Sequence, residues 1–182
     1  DVYKRQNQKE APILLSDLFF RVGGAESEGA KAENCVEINS NYVIGDNFWV
    51  WRADHGDGVG WDINTARNGI IINGDDVSMY ALMVEHFQEY QTIWNGENGK
   101  TIFYQSEIPY DVPNQEVWMS HDGTVNGYAS YKVGDEVTNH EAWGLGIYSY
   151  HRDAKVDLNC VMEVPEQENI KVHNILSLIH IS

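Results

Sequence analysis

Apolar and polar positions alternate over short distances along this chain. Runs rich in β-branched and aromatic residues are cut off by Gly, Asn and Asp, and apolar spacing near 3.6 residues is rarely sustained for three turns. The pattern predicts strands over 13–22, 35–38, 42–44, 48–52, 69–72, 77–80, 82–87, 101–105, 117–119, 128–133, 146–150 and 161–164, and little helix. Brief strands joined by polar turns suit a sandwich, a barrel or a solenoid.

An internal repeat favours the solenoid. Ile38-Asn39-Ser40-Asn41-Tyr42-Val43 set over Ile72-Asn73-Gly74-Asp75-Asp76-Val77 aligns Ile, Asn and Val at a shift of 34, and Phe48-Trp49-Val50 then falls on Leu82-Met83-Val84. The segments read as successive coils of a right-handed parallel β-helix. Such layers stack about 4.8 Å apart, and an Asn at a corner can hydrogen-bond the equivalent Asn above it. Asn39 and Asn73 suit that ladder, and the Gly- and Asp-rich stretch 54–68 reads as a long loop leaving the coil.

Two glutamates fall at strand ends, Glu85 in Val84-Glu85-His86-Phe87 and Glu107 in Gln105-Ser106-Glu107, just before Pro109 stops the ladder. They stand 22 residues apart, roughly one coil, which can place both side chains on one face in adjacent layers. Hydrolysis of a glycosidic bond needs such a pair, one carboxyl protonated for the leaving oxygen and one ionised for water or carbon. Glu107, leaving an aromatic strand, is the one expected to have the raised pKa. The plainer reading of either residue is a solvated turn glutamate, since many acidic residues lie a coil apart. Strict stacking favours the roughly 5 Å of a retaining pair over the roughly 6.5–9.5 Å of an inverting one, so counting leaves the stereochemistry open.

The two ends change the picture. One codon choice for residues 1–6 has a reverse complement that encodes Leu-Ser-Leu-Ile-His-Ile, the run from Leu176 to Ile181. Residues 1–6 and 176–182 therefore read as a translated inverted DNA adapter flanking an internal fragment, residues 7–175, and are set aside. Setting aside Asp1, Lys4 and Arg5 takes the formal net charge from −16 to −17. Such acidity repels phosphate backbones and other polyanions, which disfavours nucleic acid but not a neutral polymer. No apolar run reaches the roughly 20 residues of a membrane span. Cys35 and Cys160 match no metal spacing and could pair or remain separate buried thiols. Six tryptophans and ten tyrosines supply faces on which sugar rings stack, or else line the interior of a solenoid.

The runs SDLFFRVGG, FWVWRADHGDGVGWDINTARNGIIINGDDV, VEHFQEYQTIWNGENGKTIFYQSEIPYDVP and NGYASYKVGDEVTNHEAWGLGIYSY resemble glycoside hydrolase family 55, the β-1,3-glucanases. The similarity extends over nearly all of residues 11–175. It implies an all-β, right-handed parallel β-helix, this piece being most of the C-terminal one of two such helices in a longer chain. It further implies Glu107 as general acid, Glu85 as a carboxylate that positions and activates the attacking water, and inversion of configuration. Trp51, Asp54, His55 and Tyr110 match positions around the sugar. The implied substrate is laminarin-like β-1,3-glucan cut mostly from a chain end, with no cofactor or metal, and the implied location is secreted or periplasmic. The absent N-terminal β-helix would supply further walls of the cleft, so the piece alone is expected to be short of groups needed for turnover.

Two other readings compete. Polysaccharide lyases also use parallel β-helices, with Ca²⁺ and a basic residue. The stretch DHGDGVGWD lacks the D-x-[DN]-x-[DN]-G pattern, however, and Lys100 is nearly alone among basic residues near Glu107. A non-catalytic carbohydrate-binding or adhesin β-helix would use both glutamates only for hydrogen bonds. Activity that survives a chelator separates hydrolase from lyase, and Glu107→Gln separates catalyst from binder.

Overall fold

The computed structural model describes residues 9–25 and 29–180. It is a right-handed parallel β-helix. One sheet holds the long strands β1 (Ile13–Val22), β3 (Val43–Arg52), β5 (Ser78–Glu85), β7 (Gly99–Glu107), β11 (Asn139–Ser149) and β13 (Asn169–Ile179), all parallel and in that spatial order. The second sheet stacks β2 (Ala32–Ile38), β4 (Ala66–Ile72), β6 (Thr92–Trp94), β10 (Tyr131–Val133) and β12 (Met162–Glu163), again parallel. A small antiparallel pair, β8 (Met119–Ser120) and β9 (Val125–Asn126), decorates one connection.

The shift of 34 is a true coil, with Ile38 pairing Ile72 and Phe48 pairing Leu82. The next is 22, with Ser78 pairing Lys100. Both coils turn at the same kind of corner, just after Ile38 and Ile72, and a third copy, Trp94-Asn95-Gly96, completes the series. The Asn ladder forms: Asn73 donates to Asn39 at 2.6 Å and Asn95 donates to Asn73 at 2.8 Å. The first copy carries Ser40, but the second and third require glycine, because a Cβ on Gly74 would sit 2.0 Å from Ser40 O and one on Gly96 1.8 Å from Gly74 O.

Several predicted strands turn out to be halves of one. The segments 42–44 and 48–52 join as β3, and 77–80 and 82–87 join as β5. Each long strand is bent by one residue at positive φ, and these residues stack in register: Asp17, Asn47, Ala81, Phe103, Gly144 and Asn174. The bend turns the outer face through a corner without breaking the ladder. The short β6 and the terminal β13 escaped the pattern, the first because three residues carry no periodicity. The strand β13 continues to Ile179, pairing Leu176 to Ile179 with Gly146 to Ser149. Residues 1–6, set aside at the other end, lie outside the described residues.

Inward positions stack into columns that fill the solenoid. Phe48, Leu82, Tyr104 and Leu145 form one, and Val50, Val84, Ser106 and Ile147 another. Each such apolar side chain contributes about 1.5–3 kcal/mol on burial. Of the six tryptophans, Trp94 and Trp118 lie in the interior, and Trp51 is covered although it faces outward. Cys35 and Cys160 are both free thiols, and burial pushes Cys35 up to about 11.

Candidate active site

After the bend, alternation along the long strands points every second side chain outward. Two columns result. One is Phe19, Trp49, Met83, Gln105; the other is Arg21, Trp51, Glu85, Glu107, Tyr148. Glu85 and Glu107 are therefore paired residue to residue on adjacent strands, as the spacing of 22 predicts. Phe19, Arg21, Trp49, Trp51, Asp54, His55, Glu85, His86 and Glu107 line a cavity of about 540 Å³ over these columns.

The aromatic rings form a continuous line. Phe19 stacks on Trp49 with centroids 4.7 Å apart, and Trp49 on Trp51 at 5.7 Å. Trp49 Nε1 also donates to Glu85 Oε2 at 2.9 Å. Burial raises the pKa of Glu85 and the charge of Glu107 adds to the rise, while the hydrogen bonds from Trp49 and Gln105 oppose it. Glu85 is thus a carboxyl held above its ordinary value by its surroundings. Burial is set by how neighbouring coils close over a residue, which the strand preceding it does not reveal.

Glu107 is surrounded differently. Tyr110 donates its hydroxyl to Glu107 Oε2, and Gln105 Nε2 donates to Oε1 at 3.4 Å. Burial first, and then the hydrogen bond and charge of Glu107, push the Tyr110 phenol well above its ordinary value. His86, 3% exposed, sets Nε2 3.6 Å from Glu107 Oε2 and 3.7 Å from Asp54 Oδ1. Burial lowers the pKa of His86 against the pull of Asp54 and Glu107. Asp54 Oδ1 also accepts from His55 Nδ1 at 2.8 Å, and His55 itself stands exposed at the rim beside Trp51.

Arg52 fastens this site together. Its guanidinium is wholly buried and uses all five N–H groups. Nε donates to Asn64 O, Nη1 to His86 O and Asp111 Oδ1, and Nη2 to Gly60 O and Asp111 Oδ2, all within 3.1 Å. One side chain thus ties the loop after β3, the turn after β5 and the loop after β7 to one point.

All six residues singled out in the sequence meet here. Trp51, Asp54, His55, Glu85 and Glu107 line the cavity, and Tyr110 holds Glu107 from just outside it. Trp49, Phe19, Gln105 and His86 were not singled out as site residues. Period-2 alternation carries the signal for Trp49, which sits two residues before Trp51 with inward Val50 between them. His86 carries none, because it leaves the strand at φ 67°. Among the described residues, no group of three or more His, Cys, Asp or Glu could hold a metal ion.

The geometry has counterparts among known proteins. A family model for the LAM55 pectate lyase-like domain matches residues 2–107, ending on Glu107. An exo-beta-1,3-glucanase of Streptomyces sp. strain SirexAA-E is 46% identical over 166 residues, covering 91% of this chain and 27% of that protein. The structure of sacteLam55A from Streptomyces sp. SirexAA-E superposes with a TM-score of 0.88 at 41% identity, covering 96% of this chain and 33% of the other. A glutamate-to-alanine variant of sacteLam55A, in complex with glucose, gives a TM-score of 0.89 at 40% identity and covers 99% of this chain and 34% of the other. The chain thus spans about a quarter to a third of the length of these relatives. Matched over more than half its residues, the chain belongs to the LAM55 pectate lyase-like family, the glycoside hydrolase family 55 of its sequence resemblance.

Proposed function

We propose that this cleft hydrolyses β-1,3-glucosidic bonds in a laminarin-like β-glucan, from a chain end and with inversion. The observation that carries the reading is the in-register pair Glu85 and Glu107 at the floor of an aromatic-lined cavity. Glu107 gives its proton to the glycosidic oxygen as the bond to the anomeric carbon breaks. Glu85 takes a proton from the water whose oxygen bonds that carbon from the opposite face, and exchange with solvent resets both carboxyls. Being raised by burial, Glu85 is a stronger base than an ordinary carboxylate once ionised.

The hydrogen bonds support separate roles. Glu85 is held by Trp49 from the preceding coil and Glu107 by Tyr110 from the loop that follows its own strand, so each carboxyl has its own anchor. Phe19, Trp49 and Trp51 offer stacking faces to sugar rings, and Asp54 and His55 offer hydrogen-bonding groups at the rim. The named activity of the relative and the glucose bound by the variant support the substrate class and the chain-end preference. The rest of the longer protein completes the cleft walls, and a polymeric substrate places the enzyme outside the cytoplasm.

The test is Glu107→Gln in the longer protein. Turnover of laminarin falls by orders of magnitude with binding retained, and NMR of the first product of the parent enzyme shows the α anomer. Undiminished turnover removes Glu107 from the acid role, and a β product removes inversion.

A further inference from the structure

The same long sheet has a second outward region, on the other side of its bend. One residue before the bend, a column runs Tyr80, Ile102, Trp143, His173, and at the bend itself stands Phe103. Tyr80 is 42% exposed and Phe103 59%. Trp143 is half-buried and lies flat against His173, with centroids 5.3 Å apart and planes 11° apart, which fixes its face. Beyond this column, at the strand starts, a groove of about 440 Å³ is lined by Tyr42, Asp76, Ser78, Asn98 and Asn139 among others. Hydroxyl, amide and carboxylate groups beside exposed rings are what a sugar chain needs, hydrogen bonds for its hydroxyls and flat faces for its C–H sides.

Phe103 is the residue that local structure does not explain. Its φ of 62° is shared along the bend by Asp17, Asn47, Ala81, Gly144 and Asn174; Asp, Asn and Gly suit the left-handed region and Ala is small, whereas a bulky aromatic there is strained. Nor does the core hold its ring, which faces solvent. A strained residue whose side chain serves neither backbone nor packing points to a surface function.

We propose that the face formed by the groove at Asp76–Asn98–Asn139 and by Tyr80, Phe103 and Trp143 is a second saccharide-binding surface, holding neutral β-glucan chains beside the cleft. The ligand class rests on the reading of the cleft as a glucan site. Continuity supports it: Lys100 at the groove and Glu107 in the cleft lie on one strand, about 23 Å along its bent path at the strand rise. Charge supports it too, since a chain of net charge −16 repels polyanions but not a neutral polysaccharide.

The experiment is native affinity electrophoresis of this chain in gels containing laminarin. The parent chain is retarded. Tyr80→Ser/Phe103→Asn raises the apparent dissociation constant roughly tenfold, the loss of two stacking faces. Asn is at home at position 103, as Asn47 and Asn174 show in the same column, so the fold survives the change. A cleft variant, Phe19→Ser/Trp49→Ser, keeps the retardation that depends on Tyr80 and Phe103. The proposal is overturned if the parent is not retarded, or if Tyr80→Ser/Phe103→Asn binds as the parent does. It is overturned equally if that variant only alters self-association in light scattering while retardation is unchanged, which would make the face a protein contact. Hydrolysis by the longer protein without retardation through this face defeats this inference alone, while retardation lost in Tyr80→Ser/Phe103→Asn alongside a fully active Glu107→Gln defeats the catalytic roles alone.

Discussion

Replacing Asp111 by Ala tests how the cleft is assembled. The change strips the buried Arg52 guanidinium of both carboxylate bonds, 2.9 and 2.8 Å, and so of the charge that balances it. Arg52 is 0% exposed and Asp111 8%, so water cannot replace the lost partner without opening the loops. Removing one member of such a buried pair costs about 3–5 kcal/mol. For a chain of this size that lowers the melting temperature by about 6–20 °C. Asp111→Asn keeps an acceptor in place and should cost less. The double change Arg52→Met/Asp111→Leu removes the charge but orphans the carbonyls of Gly60, Asn64 and His86, about 1–3 kcal/mol each if they stay dry. Thermal and urea unfolding of the three variants supply the measurements. A loss under about 1 kcal/mol in Asp111→Ala would refute the view that this pair holds the three loops in place.

Trp49→Phe keeps the aromatic stack but deletes the indole N–H that favours ionised Glu85, so Glu85 rises further and the acid limb of kcat/KM moves to higher pH; an unmoved limb would count against Glu85 as the base. Phe103→Asn relieves a left-handed aromatic and raises stability by about 1 kcal/mol, seen as a higher melting temperature, and a lower one would contradict the strain. His140 is buried and held down to about 4 from an ordinary 6.5, so the unfolded chain binds the proton more readily between those values. The stability it contributes is therefore whole above pH 6.5 and is lost as pH falls toward 4, by about 3 kcal/mol. Urea unfolding at pH 7.5 and 4.5 should show that slope reduced in His140→Gln, and an unchanged slope would exclude His140 as its source.

The coil repeat and the site floor were legible in the sequence for the same reason. A parallel β-helix repeats a local rule, so Ile38 and Ile72, the corner asparagines and the glutamates at 85 and 107 announce their register by simple distance along the chain. Alternation likewise assigns inward and outward faces within a strand, which is why Trp51 and Glu85 share a column. What only the tertiary structure decided depends on contacts that no period encodes. The bend column passes through Ala81 and Phe103, which have no preference for a left-handed backbone, so ladder pairing with neighbouring coils imposes it. Arg52 reaches Asp111 across 59 residues and two loops. The raised pKa of Glu85 comes from desolvation, which is set by whole layers and loops closing around a side chain, and that closure is not written in the residues next to it.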